Sequence, residues 1–127
     1  ESVVGLDFIT RLRPVAYNFE TAKYDAYIKG TSIESLIKSG RIDYSESENI
    51  RHNGFIAQEV LKAAKDAGYE FDGVLVPRNK QETYGLAYSQ FVVPLVKAVQ
   101  EQQAQIEALK QQVSRLEAAL QKTDGLK

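Results

Sequence analysis

Apolar residues keep two different rhythms along this chain. From Val92 onward, Val92, Leu95, Val99, Gln102, Ile106, Leu109, Val113, Leu116 and Leu120 are separated alternately by three and four residues. That is a heptad repeat, with Val92, Val99, Ile106, Val113 and Leu120 at position a and Leu95, Gln102, Leu109 and Leu116 at position d. Every seam position except Gln102 is apolar. The pattern predicts a coiled-coil helix over residues 89–122, roughly 50 Å long at about 1.5 Å per residue. Pro94 is tolerated only in a first turn, so regular helix is expected from near Val93. The closing "TDGLK", residues 123–127, reads as a helix stop and a frayed tail.

Before residue 89 the elements are short and mixed. "SVVGLDFITRLR" spaces Val4, Phe8, Ile9 and Leu12 along one helical face, with Ser2 as N-cap and Pro14 as terminator. "VAYNFE" alternates, which predicts a half-buried strand with Val15, Tyr17 and Phe19 on the inner face. Residues 21–50 are more polar. Within them "TSIESLIKSG" predicts a short helix with a Thr31–Glu34 capping box and Gly40 at the left-handed stop. "RIDYSESENIR" then reads as a charged, exposed loop.

In "NGFIAQEV", residues 53–60, Asn53 and Gly54 supply turn chemistry. A helix follows, with Ile56, Val60, Ala63, Ala64 and Ala67 as a narrow apolar stripe and Gly68 as its end. Phe55, Ile56 and Val60 are the expected anchors of this helix in the core. "GVLVP" and "QETYGLAY" predict two short strands around the polar turn "RNKQ", with Pro77 at a strand end or edge. The expected fold class is α+β. A small helix-rich head with short strands or a hairpin, residues 1–88, precedes a long C-terminal helix that forms a parallel coiled coil.

A rod of this length cannot bury its seam against so small a head, and each exposed Leu, Ile or Val forgoes about 1.5–3 kcal/mol relative to burial. The chain is therefore expected to associate with itself, the commonest form of oligomer. Val and Ile at a with Leu at d suit a dimer. The weakly charged flanks, Ala98, Gln105, Gln112 and Ala119 at g with Val96, Gln103, Lys110 and Glu117 at e, suit a wider trimer. The heptads alone leave dimer and trimer open. Gln102 would add one polar layer that fixes register.

Composition then removes function classes. A formal net charge of −1 argues against nucleic acid as a partner, because phosphate binding needs a clustered basic excess. No apolar run approaches the roughly 20 residues that span a bilayer, and the acidic start is unlike a signal peptide. With no Cys and one His, thiol chemistry, disulfides and a His-rich metal site are excluded, and no cofactor is expected. The absence of Met leads us to expect the C-terminal piece of a longer protein.

Candidate chemistry is sparse. Ser35 and Lys38 in "SLIK" have the Ser-x-x-Lys spacing of some acyl-transfer enzymes but lack their companion motifs. His52, the one histidine of the chain, is the one candidate acid–base group, though a loop histidine before a turn is the simpler reading. Gln58 and Glu59 are adjacent on a helix, so they point apart and form no paired-carboxylate site.

Three stretches taken in order, "GLDFITRLRPVAYNF", "GFIAQEV" and "YGLAYSQFVVPLVKAVQEQQAQIEALK", resemble the endosialidase-type intramolecular chaperone domain. Such domains sit at the C-termini of phage tail spikes, tail fibres and bacterial surface proteins, and "AAKDAGYEFDGV" is similar to the bacterial tail-fibre branch. The resemblance covers Gly5 to Lys110. It implies a homotrimer that guides folding of the preceding fibre or spike region of the same polypeptide and is then released by self-cleavage. The setting would be a virion tail or a bacterial cell surface. It also makes Gly54, Phe55, Ile56, Ala57, Gln58, Glu59 and Val60 a structural family motif.

The family cuts itself with a serine opening a Ser-Asp pair and a lysine five residues on. Here Ser2 is followed by Val3, and Asp7 stands where the lysine would be. The dyad is expected N-terminal to Glu1, and the chain itself is expected to be proteolytically inert. The alternatives are a permanently attached trimerisation cap, and an autoprotease domain in which His52 still supports cleavage.

Overall fold

The computed structural model describes residues 2–40 and 43–125. Its elements follow in order: α1 (Leu6–Ile9), β1 (Val15–Asn18), α2 (Thr21–Lys29), α3 (Ile33–Lys38), α4 (Ser45–Glu48), β2 (Arg51–Gly54), α5 (Ala57–Asp66), β3 (Val74–Leu75) and β4 (Gly85–Leu86). A 3₁₀ turn over Tyr88–Phe91 then leads into α6 (Val92–Gly125). The chain is α+β, mostly helical, with two short antiparallel strand pairs and one long C-terminal helix.

α5 forms as its periodicity predicts. Val60, Ala63 and Ala64 are buried, and the small alanines let neighbouring rings approach closely. Gly68 stops the helix at φ 62°, where the Tyr69 amide donates to the Ala64 carbonyl at 2.8 Å and the Gly68 amide to that of Lys65 at 3.1 Å. This is the paired bonding of a Schellman stop, which needs a left-handed residue that glycine supplies without strain.

Against α5 lies an aromatic cluster drawn from distant parts of the chain. The Phe8 ring is 4.9 Å from that of Phe71 and 5.3 Å from that of Tyr69, while Phe91 is 4.8 Å from Phe71 and 5.3 Å from Phe55. Tilted and edge-to-face pairs at such distances add to the area they bury. Phe8, Val60, Ala63, Ala64 and Phe91 form the buried centre, and Val4, Ile9, Leu12 and Phe55 are among the residues that pack on it.

Several local expectations are corrected. The first helix is one turn long and starts after Gly5, so Ser2 is not its cap. Gly5 must lie flat against α6, which sets the start of the turn. β1 forms, but Tyr17 and Phe19 are exposed, because the sheet has only two strands and leaves both rings partly open to solvent. Asn53 and Gly54 are not a turn: with Arg51 and His52 they make β2, in register Val15↔Gly54, Ala16↔Asn53, Tyr17↔His52 and Asn18↔Arg51. His52 is thus a strand residue, its ring 5.7 Å from Tyr17.

α3 is capped by Ser32, whose hydroxyl accepts from the Ser35 amide at 3.2 Å, rather than by a Thr31–Glu34 box. Gly40 does take the left-handed conformation. α2 replaces expected irregular chain, and Ser45–Glu48 is helical within an expected loop whose Arg41 and Ile42 lie outside the described residues. Glu48 explains both gains: its carboxylate accepts from the Ala22 amide at 3.0 Å, capping α2 from α4, and its carbonyl accepts from the Asn18 amide group at 2.8 Å. Ile56 sits at the N-cap of α5 and is exposed, so it is no core anchor. β3 and β4 pair antiparallel around the polar turn, and Pro77 lies beyond β3. α6 begins at Val92 with Pro94 in its first turn and runs to Gly125, past the expected stop; Leu126 and Lys127 lie outside the described residues.

Candidate functional site

α6 touches the head only at its beginning. Pro94 and Ala98 are buried, Glu101 is half-buried, and from Gln102 to Gly125 every residue is exposed. The freely projecting part is about 35 Å long at about 1.5 Å per residue. Along it and back to Val92, the apolar seam side chains stand open, from 45% exposed at Ile106 to 66% at Leu120, and Gln102 is exposed among them. An apolar stripe at heptad spacing, broken only at Gln102, on a projecting helix can do one thing well, which is to associate with other helices.

The root of the rod is built differently. A Cβ on Gly5 would stand 2.7 Å from the Ala98 amide nitrogen and 2.6 Å from Glu101 Oε1, so only glycine fits between the first segment and α6. Directly beside it, the Leu6 amide donates to Glu101 Oε2 at 3.3 Å. Glu101 of the long helix thus satisfies an amide at the start of α1, a position where negative charge is also favoured by the helix dipole. Neither Gly5 nor Glu101 stood out in the sequence, because Glu101 occupies an outer heptad position and its partner is at the other end of the chain.

Residues 54–60 connect the head's elements to this root. The Tyr88 hydroxyl accepts from the Phe55 amide at 3.2 Å, and a Cβ on Gly54 would collide with that hydroxyl. Phe55 stacks on Phe91, the last residue before α6. Val60 is buried, while Ala57 and Gln58 lie on the surface beside Tyr84 and Tyr88. Glu59 receives both arms of the Arg13 guanidinium, Nη2 at 2.6 Å and Nε at 3.1 Å, which ties the "LRP" segment to α5. The hydrogen-bonded guanidinium holds the Glu59 carboxyl below its ordinary pKa, and the carboxylate raises that of Arg13.

The catalytic candidates are not brought together. Ser35 is engaged with Ser32 at the start of α3, its hydroxyl 3.2 Å from that of Ser32. His52 is exposed on β2, and no group of three or more potential metal ligands occurs among the described residues. An opening of about 460 Å³ between Ala22, Ile37, Tyr44 and their neighbours is an open surface groove. No described helix is long and apolar enough to cross a membrane.

A family model described as the chaperone of endosialidase matches residues 1–69, more than half of the chain. No curated protein and no solved structure matches the chain.

Proposed function

The chain belongs to the chaperone-of-endosialidase family, and from that premise we propose that it is a homotrimeric intramolecular chaperone. It assists folding and assembly of a preceding tail-spike, tail-fibre or surface-fibre region of the same polypeptide. Release by self-cleavage would complete the role, and the Ser-Asp pair that would carry it is not among the residues of this chain. The observation that carries the reading is the open seam of α6, apolar at all positions but Gln102 and exposed over its whole length.

Physical chemistry makes the role useful. Intertwined fibres depend on strand pairing between chains, which forms slowly and leaves edges exposed to aggregation. A helical seam is local and forms fast. Once three seams are zipped, the preceding chains meet at an effective concentration toward the millimolar range rather than as three separate molecules.

Light scattering on the intact chain is the direct test, with three copies expected; a stable monomer would sink the proposal. For the chaperone step, a longer polypeptide carrying its preceding fibre region should assemble with the native seam and aggregate when the seam is broken by Leu109→Asp. Equal fibre assembly by both would leave the head and rod without a chaperone role.

A further inference from the structure

Exposed apolar surface on α6 does not stop at the seam. Val93 and Val96 are 57% and 51% exposed, yet neither lies at a or d. Val93 is at b, where later heptads carry Gln100, Glu107 and Ser114. Val96 is at e, where later heptads carry Gln103, Lys110 and Glu117. The apolar widening is confined to the first turns of α6, level with the buried Pro94 and Ala98, and Gly5 and the start of α1 rest on Lys97, Ala98 and Glu101.

At 3.6 residues per turn the circumference of the helix root divides into three strips. Its own head covers the c and g side, the seam occupies a and d, and Val93 with Val96 forms the remaining strip on the far side of the seam. In a parallel coiled coil the e position of one helix faces the g position of the next. The g position that faces Val96 is Phe91, five residues earlier, which is already buried in its own head beside Phe8. What faces Val96 across the seam is therefore a neighbouring head, not a bare helix.

We infer that Val93 and Val96 dock on the α1 region of a second copy of this chain, so that each head is gripped by two long helices, its own and its neighbour's. The inference rests on the parallel association proposed above. A second copy is the occupant because the valine strip is continuous with the seam and lies alongside the stretch of α6 that carries a head. α1 itself is one turn long, held by Phe8 and Ile9 in the core and by the root of α6. A second helix against it completes the head only in the assembled state.

The test uses the full chain with a photo-crosslinking side chain in place of Val96, prepared as a mixture of isotopically heavy and light copies. Heavy–light crosslinks from position 96 into residues 3–9 are expected. Crosslinks confined to the second copy's α6, to the same chain or to a fibre segment, in a protein that light scattering still reports as an oligomer, overturn this inference alone. A monomer overturns it together with the proposed association. In parallel, the double variant V93Q/V96Q should keep the oligomer's mass but lower the head's unfolding midpoint by about 5–10 °C. That shift should vanish when Leu109→Asp is added, because both valines are exposed in a single chain. An unchanged midpoint in the oligomer would also overturn the docking.

Discussion

Phe8 and Leu109 are both large apolar residues on helices, and they live in opposite conditions. Phe8 is fully buried by Tyr69, Phe71 and Phe91 of its own chain, whereas Leu109 is 58% exposed with no residue of its own chain over it. The head closes its aromatic core intramolecularly, so that core should persist at any protein concentration, with only the inferred docking at α1 adding stability on assembly. Under the association proposed above, the rod would gain its burial from other copies, and its stability would follow mass action. Between the two lies a joint a few residues wide, where Gly5 fits against Ala98 and Glu101 caps α1.

The sharpest way to break the contrast is Leu109→Asp, which places carboxylates from every copy in one apolar layer. The mass by light scattering should fall from three copies to one, while near-ultraviolet circular dichroism of the head's aromatic cluster persists. The converse change is Phe8→Ala, which should cost about 3–5 kcal/mol of head stability. Denaturant titration should then show the head melting early, with rod helicity surviving as a separate transition.

Smaller effects probe the joint and the surface. Gly5→Ala forces α6 away from the first segment and should cost about 1–3 kcal/mol by overpacking. An unaltered thermal midpoint would mean that the close approach to Ala98 does not matter. The Arg13–Glu59 pair should give the weakest signal, because both side chains are exposed and salt screens them. Since Glu59 is held below its ordinary value of 4.5, its contribution is present above that pH and lost as pH falls through the lowered value. Glu59→Gln should flatten that part of the acid limb in a pH titration of stability, and the difference should shrink in high salt.

The sequence made the long helix and α5 legible because both carry a strong period and repeat it. It hid α2 because that helix buries only Ala22 and Ala26, too little to mark a face, and borrows its cap from Glu48 in another element. β2 was hidden for a related reason. "RHNG" pairs through its backbone with β1, and its side chains are polar because no core covers them. Ser2 misled as a cap because the true start of α1 is fixed by a contact with residues at the opposite end of the chain. The seam could be read residue by residue, since the heptad is a local pattern. Its junction with the head could not, since nothing local marks Glu101 as the partner of Leu6.

The projecting helix also bears on how long a chain lasts. An unaccompanied helix in water holds its backbone only marginally, and this one carries Lys110, Arg115 and Lys122 along its exposed length. A chain that has not found its companions therefore offers trypsin-like proteases a fraying handle, while the head beside it stays folded. If the seam pairs as proposed, holding the backbone helical would remove the handle. Cleavage at Lys110, Arg115 and Lys122 would then report how much of the chain is still unaccompanied.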